Sequence, residues 1–295
     1  MNCRAFVIRE AQRVDRRAFR MLLPGVTQPA YRLVACDDPD GRVVAAAALL
    51  EAMRRRPPIG PGVALHVAPP WRRQGIGAAL IGELMAAAQQ RQAEAIYAIS
   101  RVDSESDEHR AWQRLGFTAL EHVVEHELRL SRVVERLSPI WDRIVAHQWT
   151  PPDARVVSLY EADRTEVAEL HLRELGGDRR DQLRKLRGDG LGAYQQVYSR
   201  VLLMGSRVRP QVVGCLLARR VDRETALVEA NVIDREVRGG WANVWLKLEA
   251  ARGAQSLGIK KFVFRTFDRY QDTRAFTEQV GGKKLRTELL MHRPL

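Results

Sequence analysis

The chain has 295 residues, of which 45% are hydrophobic, so it can fill the cores of two ordinary domains. Its net charge of +12 suits polyanionic partners, although a solvated basic surface explains the charge equally well. No apolar run reaches the roughly 20 residues that span a bilayer, and the first residues lack the apolar core of a signal peptide, so we expect a cytoplasmic protein with no membrane partner. Three scattered cysteines argue against a disulfide framework and against a Cys-x-x-Cys metal site, and we expect no metal.

The first part of the chain predicts alternating strands and helices of ordinary length. The turn Asp37–Gly41 lies between two apolar strands and predicts a hairpin, whereas residues 54–58 predict a surface loop. In the first helix, Val14, Phe19 and Leu22 fall on roughly one side. The predicted strands are 4–8, 31–35, 42–46, 63–67, 95–99 and one or two within 118–130; the predicted helices are 13–23, one from the glycines to about 91, and one around Trp112.

A short basic and glycine-containing turn separates the strand 63–67 from the helix that follows it. This turn reads Arg72-Arg-Gln-Gly-Ile-Gly77. A helix N-terminus offers unpaired backbone N–H groups and the positive end of the helix dipole, so such a turn can hold a pyrophosphate. Gly75 and Gly77 lack the Cβ that would block phosphate oxygens, and Arg72 adds charge.

The turn resembles the acetyl-CoA-binding motif of the GNAT acyltransferases, (Gln/Arg)-x-x-Gly-x-(Gly/Ala), which Arg72, Gly75 and Gly77 match. The segment His109–Phe117 is similar to the family's closing Tyr-x-x-x-Gly-Phe in all but its first residue, Trp112. The resemblance implies a mixed α/β sheet that opens beside the turn and admits the pantetheine of acetyl-CoA. The acetyl-CoA contacts that it implies are Leu65, His66, Val67, Arg72, Arg73, Gln74, Gly75, Ile76, Gly77, Ala78 and Trp112.

The second half of the chain repeats the first at a fixed offset. Gly240 follows Gly75 and Gly281 follows Gly116 by the same 165 residues (240 − 75 and 281 − 116). The sequence therefore predicts an α/β fold of two tandem GNAT-like domains, each with a mixed sheet. The predicted parts are a first domain at 1–130, a helical linker at 131–153 and a second, degenerate domain at 154–295.

The turn of the second half departs from the motif. Val237 stands where Arg72 stands in the first half, and Asp234 and Glu236 bring negative charge near the phosphate position, although neighbouring arginines offset it. Both a retired site and a working one stay open for this half. Its predicted strands are 154–159, 197–204, 212–221, 225–232 and 260–265, and its predicted helices are 163–175, 178–186, 241–257 and 273–280, after a helix at 131–147.

The resemblance also points to residues for chemistry. Acyl transfer to an amine needs a deprotonated amine, a polarised carbonyl and a stabilised thiolate, and the family polarises the carbonyl with a main-chain N–H near Val67. Trp112 and Thr277 stand where the family often has a tyrosine acid, and tryptophan cannot protonate a thiolate. The candidate bases are His66, with a hydrogen-bonded packed histidine as the alternative, and Glu229, with a buried ion pair to an arginine as the alternative.

We expect an acetyl-CoA-dependent N-acetyltransferase that acts on a primary amine of a small molecule or peptide by direct transfer in a ternary complex. One alternative is a non-catalytic acetyl-CoA-binding or scaffold protein, which Trp112 and Thr277 favour. Another is a basic module that docks on RNA or ribosomes. The arginines are dispersed and form no recognised binding module, which argues against this alternative. The acceptor and the oligomeric state stay open.

Overall fold

The computed structural model describes most of the chain, namely residues 5–26, 29–38, 40–53, 59–190, 192–237, 240–268 and 271–295. The predicted loop at 54–58, together with Cys3, Arg238 and Gly239, lies outside these described residues. Cys36 and Cys215 are both buried free thiols, and burial raises the pKa of Cys215 to about 12. Across the described ranges, every helix is too short or too polar to cross a bilayer.

The chain divides into two compact units. Unit 1 comprises residues 1–122 and 287–295, and unit 2 comprises residues 123–286. The end of the chain therefore belongs to the same unit as its beginning.

Unit 1 contains a mixed sheet in which β1, β2, β3, β4, β5 and β13 are neighbours in that order, with the short β6 paired to β13. All these strands pair antiparallel except β4 and β5, which are parallel. Short 3-10 turns precede α1 and α2. The elements are β1 (Phe6–Glu10), α1 (Arg16–Leu22), β2 (Tyr31–Asp37), β3 (Val43–Met53), β4 (Ile59–Val67), α2 (Ile76–Gln89), β5 (Ala95–Ala98), β6 (Val102–Asp103), α3 (Asp107–Arg114) and, at the chain end, β13 (Lys283–Pro294). The first four residues of β13, 283–286, belong to unit 2.

Alternation along the strands of unit 1 separates two core layers. On one face, Leu33 and Val63 pack with Leu80 of α2 and Trp112 of α3. On the other face, small and branched side chains such as Ala64 pack with Phe19 of α1. Because successive strand residues point to opposite faces, the apolar runs in β2 and β3 can serve both layers.

Unit 2 is built in the same way around a sheet in the order β7, β12, β11, β10, β9, β8. Helices α5 and α6 cover one face, with Val167 and Leu186 in the core, and α4 and α7 cover the other, with Val133 and Leu248. The elements are β7 (Thr118–Arg129), α4 (Leu130–Ala146), β8 (Arg155–Ser158), α5 (Arg164–Leu175), α6 (Arg179–Arg187), β9 (Arg200–Met204), β10 (Gln211–Arg220), β11 (Thr225–Ile233), α7 (Gly240–Ser256), β12 (Lys261–Phe267) and α8 (Gln271–Gln279). The first five residues of β7, 118–122, belong to unit 1.

The last strands of the two repeats are exchanged. Strands β7 and β13 begin and end 165 residues apart (283 − 118 and 294 − 129), so they are the same element of the repeat. Yet β13 pairs with β5, with His292 opposite Tyr97, and β7 pairs with β12, with Arg129 opposite Lys261. Each unit therefore receives its final strand from the other half of the sequence.

Because of this exchange, the boundaries of the two compact units differ from those of the predicted parts, which are 1–130, 131–153 and 154–295. Those parts describe the repeat along the sequence and stay a prediction. The segment predicted as a helical linker is helical as α4, but Leu130, Val133 and Leu137 of α4 lie in the core of unit 2. Its Trp141 stacks on Trp245 of α7, with ring centroids 4.6 Å apart.

The predicted α/β fold class is confirmed, and most elements lie within a few residues of their predicted bounds. The first helix differs: a 3-10 turn at Arg13–Asp15 precedes α1, and Val14 is 82% exposed rather than packed beside Phe19. The reason is the buried carboxylate of Asp15, which accepts hydrogen bonds from Arg9 at 2.6 Å and from the Gln12 N–H at 2.7 Å. The turn is fixed by these polar contacts, which turn Val14 outward.

Candidate active site

The sheet of unit 1 opens between β4 and β5. These parallel strands pair only at Gly62 with Tyr97 and at Val63 with Ala98, although β4 continues to Val67. Beyond Val63, β4 pairs with β3 alone among the described residues, and Val67 lies opposite Ala45. One side of β4 therefore faces a gap at residues 64–67.

The hydrogen-bonding pattern identifies which main-chain groups face this gap. In an antiparallel ladder, alternate residues direct their N–H and C=O groups to the partner strand and away from it. The Ala68 N–H donates to the Val44 oxygen at 2.9 Å, and the Ile99 N–H donates to the Val63 oxygen at 3.1 Å. Leu65 and Val67 consequently direct their N–H groups into the gap, whereas the main chain of His66 faces β3.

The glycine turn lies where β4 ends and α2 begins. Both Arg73 and Gly75 have positive φ, at 63° and 83°, and Gly75 is the N-cap residue of α2. Such left-handed residues in a turn gather backbone N–H groups into an anion-binding concavity. A Cβ at Gly75 would meet no atom within 4 Å, so backbone conformation and not crowding restricts this position.

Polar side chains of the turn hold it to the end of β4. The Arg72 Nε donates to the Val67 oxygen at 2.9 Å, and the Gln74 amide donates to the Pro70 oxygen at 3.2 Å. Arg72 and Arg73 are exposed. The Arg72 guanidinium is thereby fixed beside the gap while most of it stays open to solvent.

The remaining residues of the predicted contact set divide between core and surface. Ile76 is buried in the core, so only its main chain can reach a ligand, whereas Ala78 is exposed. A Cβ at Gly77 would lie 3.6 Å from Leu65 and 3.7 Å from Leu115, which is ordinary contact. The side chains of Leu65 and Val67 likewise pack on the core beneath α2.

The imidazole of His66 lies on the face of β4 opposite Val63 and Leu65, and its role as a base stays a prediction. It is partly exposed and has no hydrogen-bond partner in the described ranges, although its face of β4 carries the buried Ala64. Burial, followed by the positive charge of Arg72, lowers the pKa of His66 below its ordinary value of 6.5. The ring is therefore neutral and able to accept a proton near pH 7.

Trp112 lies in the core of unit 1. It is 6% exposed, meets Phe117 edge to face with ring centroids 4.6 Å apart, and donates from its indole N–H to Glu108 at 3.4 Å. Packing accounts for this residue, and its contact with acetyl-CoA stays a prediction. The counterpart Thr277 is also buried, at 1% exposed.

Unit 2 opens at the corresponding place. Strands β11 and β12 pair from Thr225 to Val228, so Glu229 is the first residue beyond the last pair. The Glu229 carboxylate accepts from Arg219 Nε at 2.6 Å and lies 3.5 Å from Lys185 Nζ. The ion pair with an arginine matches the alternative interpretation, but Glu229 is exposed and not buried as that interpretation expected. The role of Glu229 as a base stays a prediction.

The second turn carries the negative charge that the sequence indicated. Asp234 at the end of β11 forms an ion pair with Arg173 and accepts from the Glu236 N–H at 3.1 Å. Arg235 lies 3.8 Å from Glu174. Two cations near this turn are thus engaged by carboxylates of the protein, which disfavours a phosphate there.

Sequence reasoning missed the buried polar groups around Glu229. His171 of α5 lies near Lys185 and Glu229, and its Nδ1 is buried without a hydrogen-bond partner among the described residues. Tyr194 donates to Gln182 at 3.4 Å, and burial together with the charge of Glu229 raises the pKa of Tyr194. His171 and Glu229 are 58 residues apart in the sequence (229 − 171), so no local pattern connects them.

His171 makes the stability of the protein depend on pH. Burial, and then the charge of Lys185, lowers the pKa of His171 from 6.5 to about 4. The unfolded chain takes up a proton below pH 6.5 while the folded chain does not, so the free energy of unfolding falls as the pH falls from 6.5 towards 4. At about 1.4 kcal/mol per pKa unit, this loss amounts to about 3 kcal/mol.

We expect the variant His171→Leu to lose this part of the acid destabilisation. Urea unfolding of wild type and variant at several pH values between 4 and 7 measures it as the difference between the two curves. The exposed His147 supplies the control, since His147→Leu removes a histidine from the surface. If the free energy of unfolding depends on pH in the same way in wild type and in His171→Leu, His171 is not the source of the acid destabilisation.

A parallel pair of strands that opens beside a glycine turn at a helix N-terminus is the arrangement that the resemblance to the GNAT acyltransferases implies. The model of the acetyltransferase (GNAT) family matches residues 6–117. This segment is therefore a GNAT-family domain, as predicted, and the chain has the fold of tandem GNAT proteins over its whole length. Among curated protein sequences, none matches the chain.

Several solved structures are similar to the chain over 98% of its length. A GCN5-related N-acetyltransferase from Sphaerobacter thermophilus is 13% identical, with a TM-score of 0.56 and 95% of that chain covered. A tandem GNAT protein from the clavulanic acid biosynthesis pathway is 17% identical, with a TM-score of 0.54 and 98% of that chain covered. The glucosamine N-acetyltransferase region of a fungal multi-domain GH3 β-N-acetylglucosaminidase gives 15% identity and a TM-score of 0.64, and the match spans 38% of that protein.

Proposed function

We propose that the protein transfers the acetyl group of acetyl-CoA to a primary amine of a small molecule or peptide at the opening of unit 1. The observation that carries this proposal is the gap between β4 and β5, into which Leu65 and Val67 direct their N–H groups beside the glycine turn. A pantetheine chain laid along β4 would take the place of the missing strand, and the turn would receive the pyrophosphate.

Residues of this chain can serve two of the three chemical needs. The amine nitrogen attacks the thioester carbonyl carbon, and the C–S bond then breaks to release the thiolate of CoA. An N–H of Leu65 or Val67 can stabilise the developing charge on the carbonyl oxygen. His66 can accept the proton that the amine loses.

The third need is a proton for the thiolate, and no described residue is assigned here as its donor. Trp112 occupies the position of the family's tyrosine, and its indole N–H is directed to Glu108. In this proposal His66 receives the proton that the amine loses and the thiolate of CoA takes its proton from water, while positioning of amine and thioester supplies much of the rate.

Release of free thiol from acetyl-CoA, followed across a panel of primary amines, tests turnover. For the best amine, we expect kcat/KM to fall on the acid side with an apparent pKa below 6.5, because His66 must be neutral to act as a base. The variant His66→Gln is expected to lower kcat by about a hundredfold and to remove this acid limb. The surface variant His147→Gln is the control, and an unchanged pH profile in His66→Gln would exclude His66 as the base.

A non-catalytic acetyl-CoA-binding protein is the second candidate, and the buried Trp112 in place of an acid is the observation that favours it. Calorimetric titration with acetyl-CoA separates the two candidates when it is read beside the thiol assay. Saturable binding without thiol release on any amine would support the second candidate. Absence of binding would contradict both.

A further inference from the structure

A basic pocket lies in unit 2, away from the opening between β11 and β12. Its volume is about 350 Å³, and the residues that line it, here called the basic pocket, are Glu127, Arg129, Arg132, Lys261, Gly281 and Lys283. Lys261 is the first residue of β12, which runs parallel to β11. The pocket thus lies at the edge where these strands begin, whereas the second turn follows the edge where β11 ends.

The charges of the basic pocket are not balanced by the protein. Four cationic side chains and one carboxylate leave a net charge of about +3. The carboxylate, Glu127, accepts from Lys261 Nζ at 3.0 Å. Arg129, Arg132 and Lys283 have no carboxylate partner within the described residues. Keeping like charges together is unfavourable unless an anion joins them, so the arrangement favours an anionic ligand.

The backbone reinforces this positive field. Helix α4 begins at Leu130, whose N–H donates to the Lys260 oxygen at 2.9 Å. No side chain caps this N-terminus, so the helix dipole adds to the charge of Arg129 and Arg132. Gly281, with φ of 70°, leaves room for one guanidinium, because a Cβ there would lie 2.7 Å from Arg132 Nη1. Gly281, the counterpart of Gly116 in the repeat, therefore allows the Arg132 side chain to line the pocket.

We propose that the basic pocket binds a small molecule that carries two or more phosphate groups. Guanidinium groups match phosphate oxygens in pairs, and the positive end of a helix dipole favours phosphate. A diphosphate or triphosphate has the charge to balance the four cations, and the pocket volume suits a compact ligand. A nucleic-acid chain would instead need basic surface along a groove, as for single-stranded binding.

Inorganic tripolyphosphate titrated calorimetrically into the full chain at low salt is the test. We expect saturable binding that weakens about tenfold in Arg132→Ala and in Lys283→Ala, since each removes a charged hydrogen-bond donor. The variant Glu127→Gln should bind more tightly, because it removes the carboxylate found among the described lining residues and releases Lys261. Arg143→Ala, which removes the same charge from an exposed position further along α4, is the matched control and should bind like wild type.

Tripolyphosphate affinity is expected to fall in Arg132→Ala and to rise in Glu127→Gln, so the test remains decisive even if one variant unfolds. Titration with saturating CoA present should leave tripolyphosphate binding intact, so this proposal fails separately from the acetyl-CoA site. The proposal is overturned if wild type does not bind tripolyphosphate saturably, if Glu127→Gln binds no better, or if CoA abolishes binding. Tighter binding of a single-stranded RNA oligonucleotide that depends on Arg132 would also overturn it.

Discussion

Replacing Gly75 by valine is expected to lower the affinity for acetyl-CoA by about fifty-fold or more. At a φ of 83° a β-branched residue is strained, so the turn must change its conformation and its N–H groups lose their common direction. Loss of one or two charge-assisted hydrogen bonds costs about 2 to 3 kcal/mol, which corresponds to this change in affinity. Calorimetric titration with acetyl-CoA measures the effect.

Gly82 of the same helix is the matched control for Gly75. It is exposed, and a Cβ there would meet nothing within 4 Å, so Gly82→Ala should bind acetyl-CoA normally. Alanine in a helix interior is also more favourable than glycine by about 0.5 to 1 kcal/mol, so this variant should be slightly more stable. Equal affinity of Gly75→Val and wild type would remove the glycine turn from the binding site.

Removing the last nine residues, 287–295, is expected to abolish acetyl-CoA binding and to unfold unit 1. This segment supplies the strand that pairs with β5, and its Leu289 and Met291 are 3% and 0% exposed in the core of unit 1. Deleting a buried Leu or Met side chain costs about 2 to 5 kcal/mol, so losing both approaches the whole stability of a domain. Differential scanning calorimetry and acetyl-CoA titration of the truncated chain measure the loss.

Two single variants on β13 sharpen this experiment. Met291→Ala should destabilise unit 1 by about 2 to 5 kcal/mol and weaken acetyl-CoA binding with it. Leu285→Ala lies on the same strand but is 42% exposed, so it should change stability by about 0.5 kcal/mol or less. A truncated chain that still binds acetyl-CoA with wild-type affinity would show that unit 1 does not depend on the exchanged strand.

The candidate site could be predicted in part because its elements are local. The turn from Arg72 to Gly77 carries its own chemistry, since the glycines, the arginines and the helix start are neighbours in sequence. Strand alternation also placed His66 opposite Val63 and Leu65, and the core clusters on the two faces of β4 agree with this. The sequence could not distinguish Leu65 and Val67 from His66 as the residues whose N–H groups face the gap, because the ladder with β3 sets that choice.

The contacts of Glu229 could not be predicted from its neighbours in the sequence. Its two interpretations, base or ion pair, could not be separated until Arg219 and Lys185 were placed beside it. Both partners lie on other elements, and neither has a fixed spacing to β11. The same holds for the basic pocket, where Arg132 and Gly281 meet only in the folded chain.

By itself the sequence determined the repeat at 165 residues, the position of the glycine turn and most of the elements, but not β6 or β13. These predictions follow from side-chain periodicity and turn residues, which act over a few neighbours, and the fold class follows from the resemblance to the GNAT acyltransferases. Only the tertiary structure decided that β7 and β13 are exchanged, where the sheet of unit 1 opens, and which charges lie together in unit 2. Strand partners and ion pairs are chosen by packing and by electrostatics between distant segments, and both strands of the repeat carry patterns that suit either sheet.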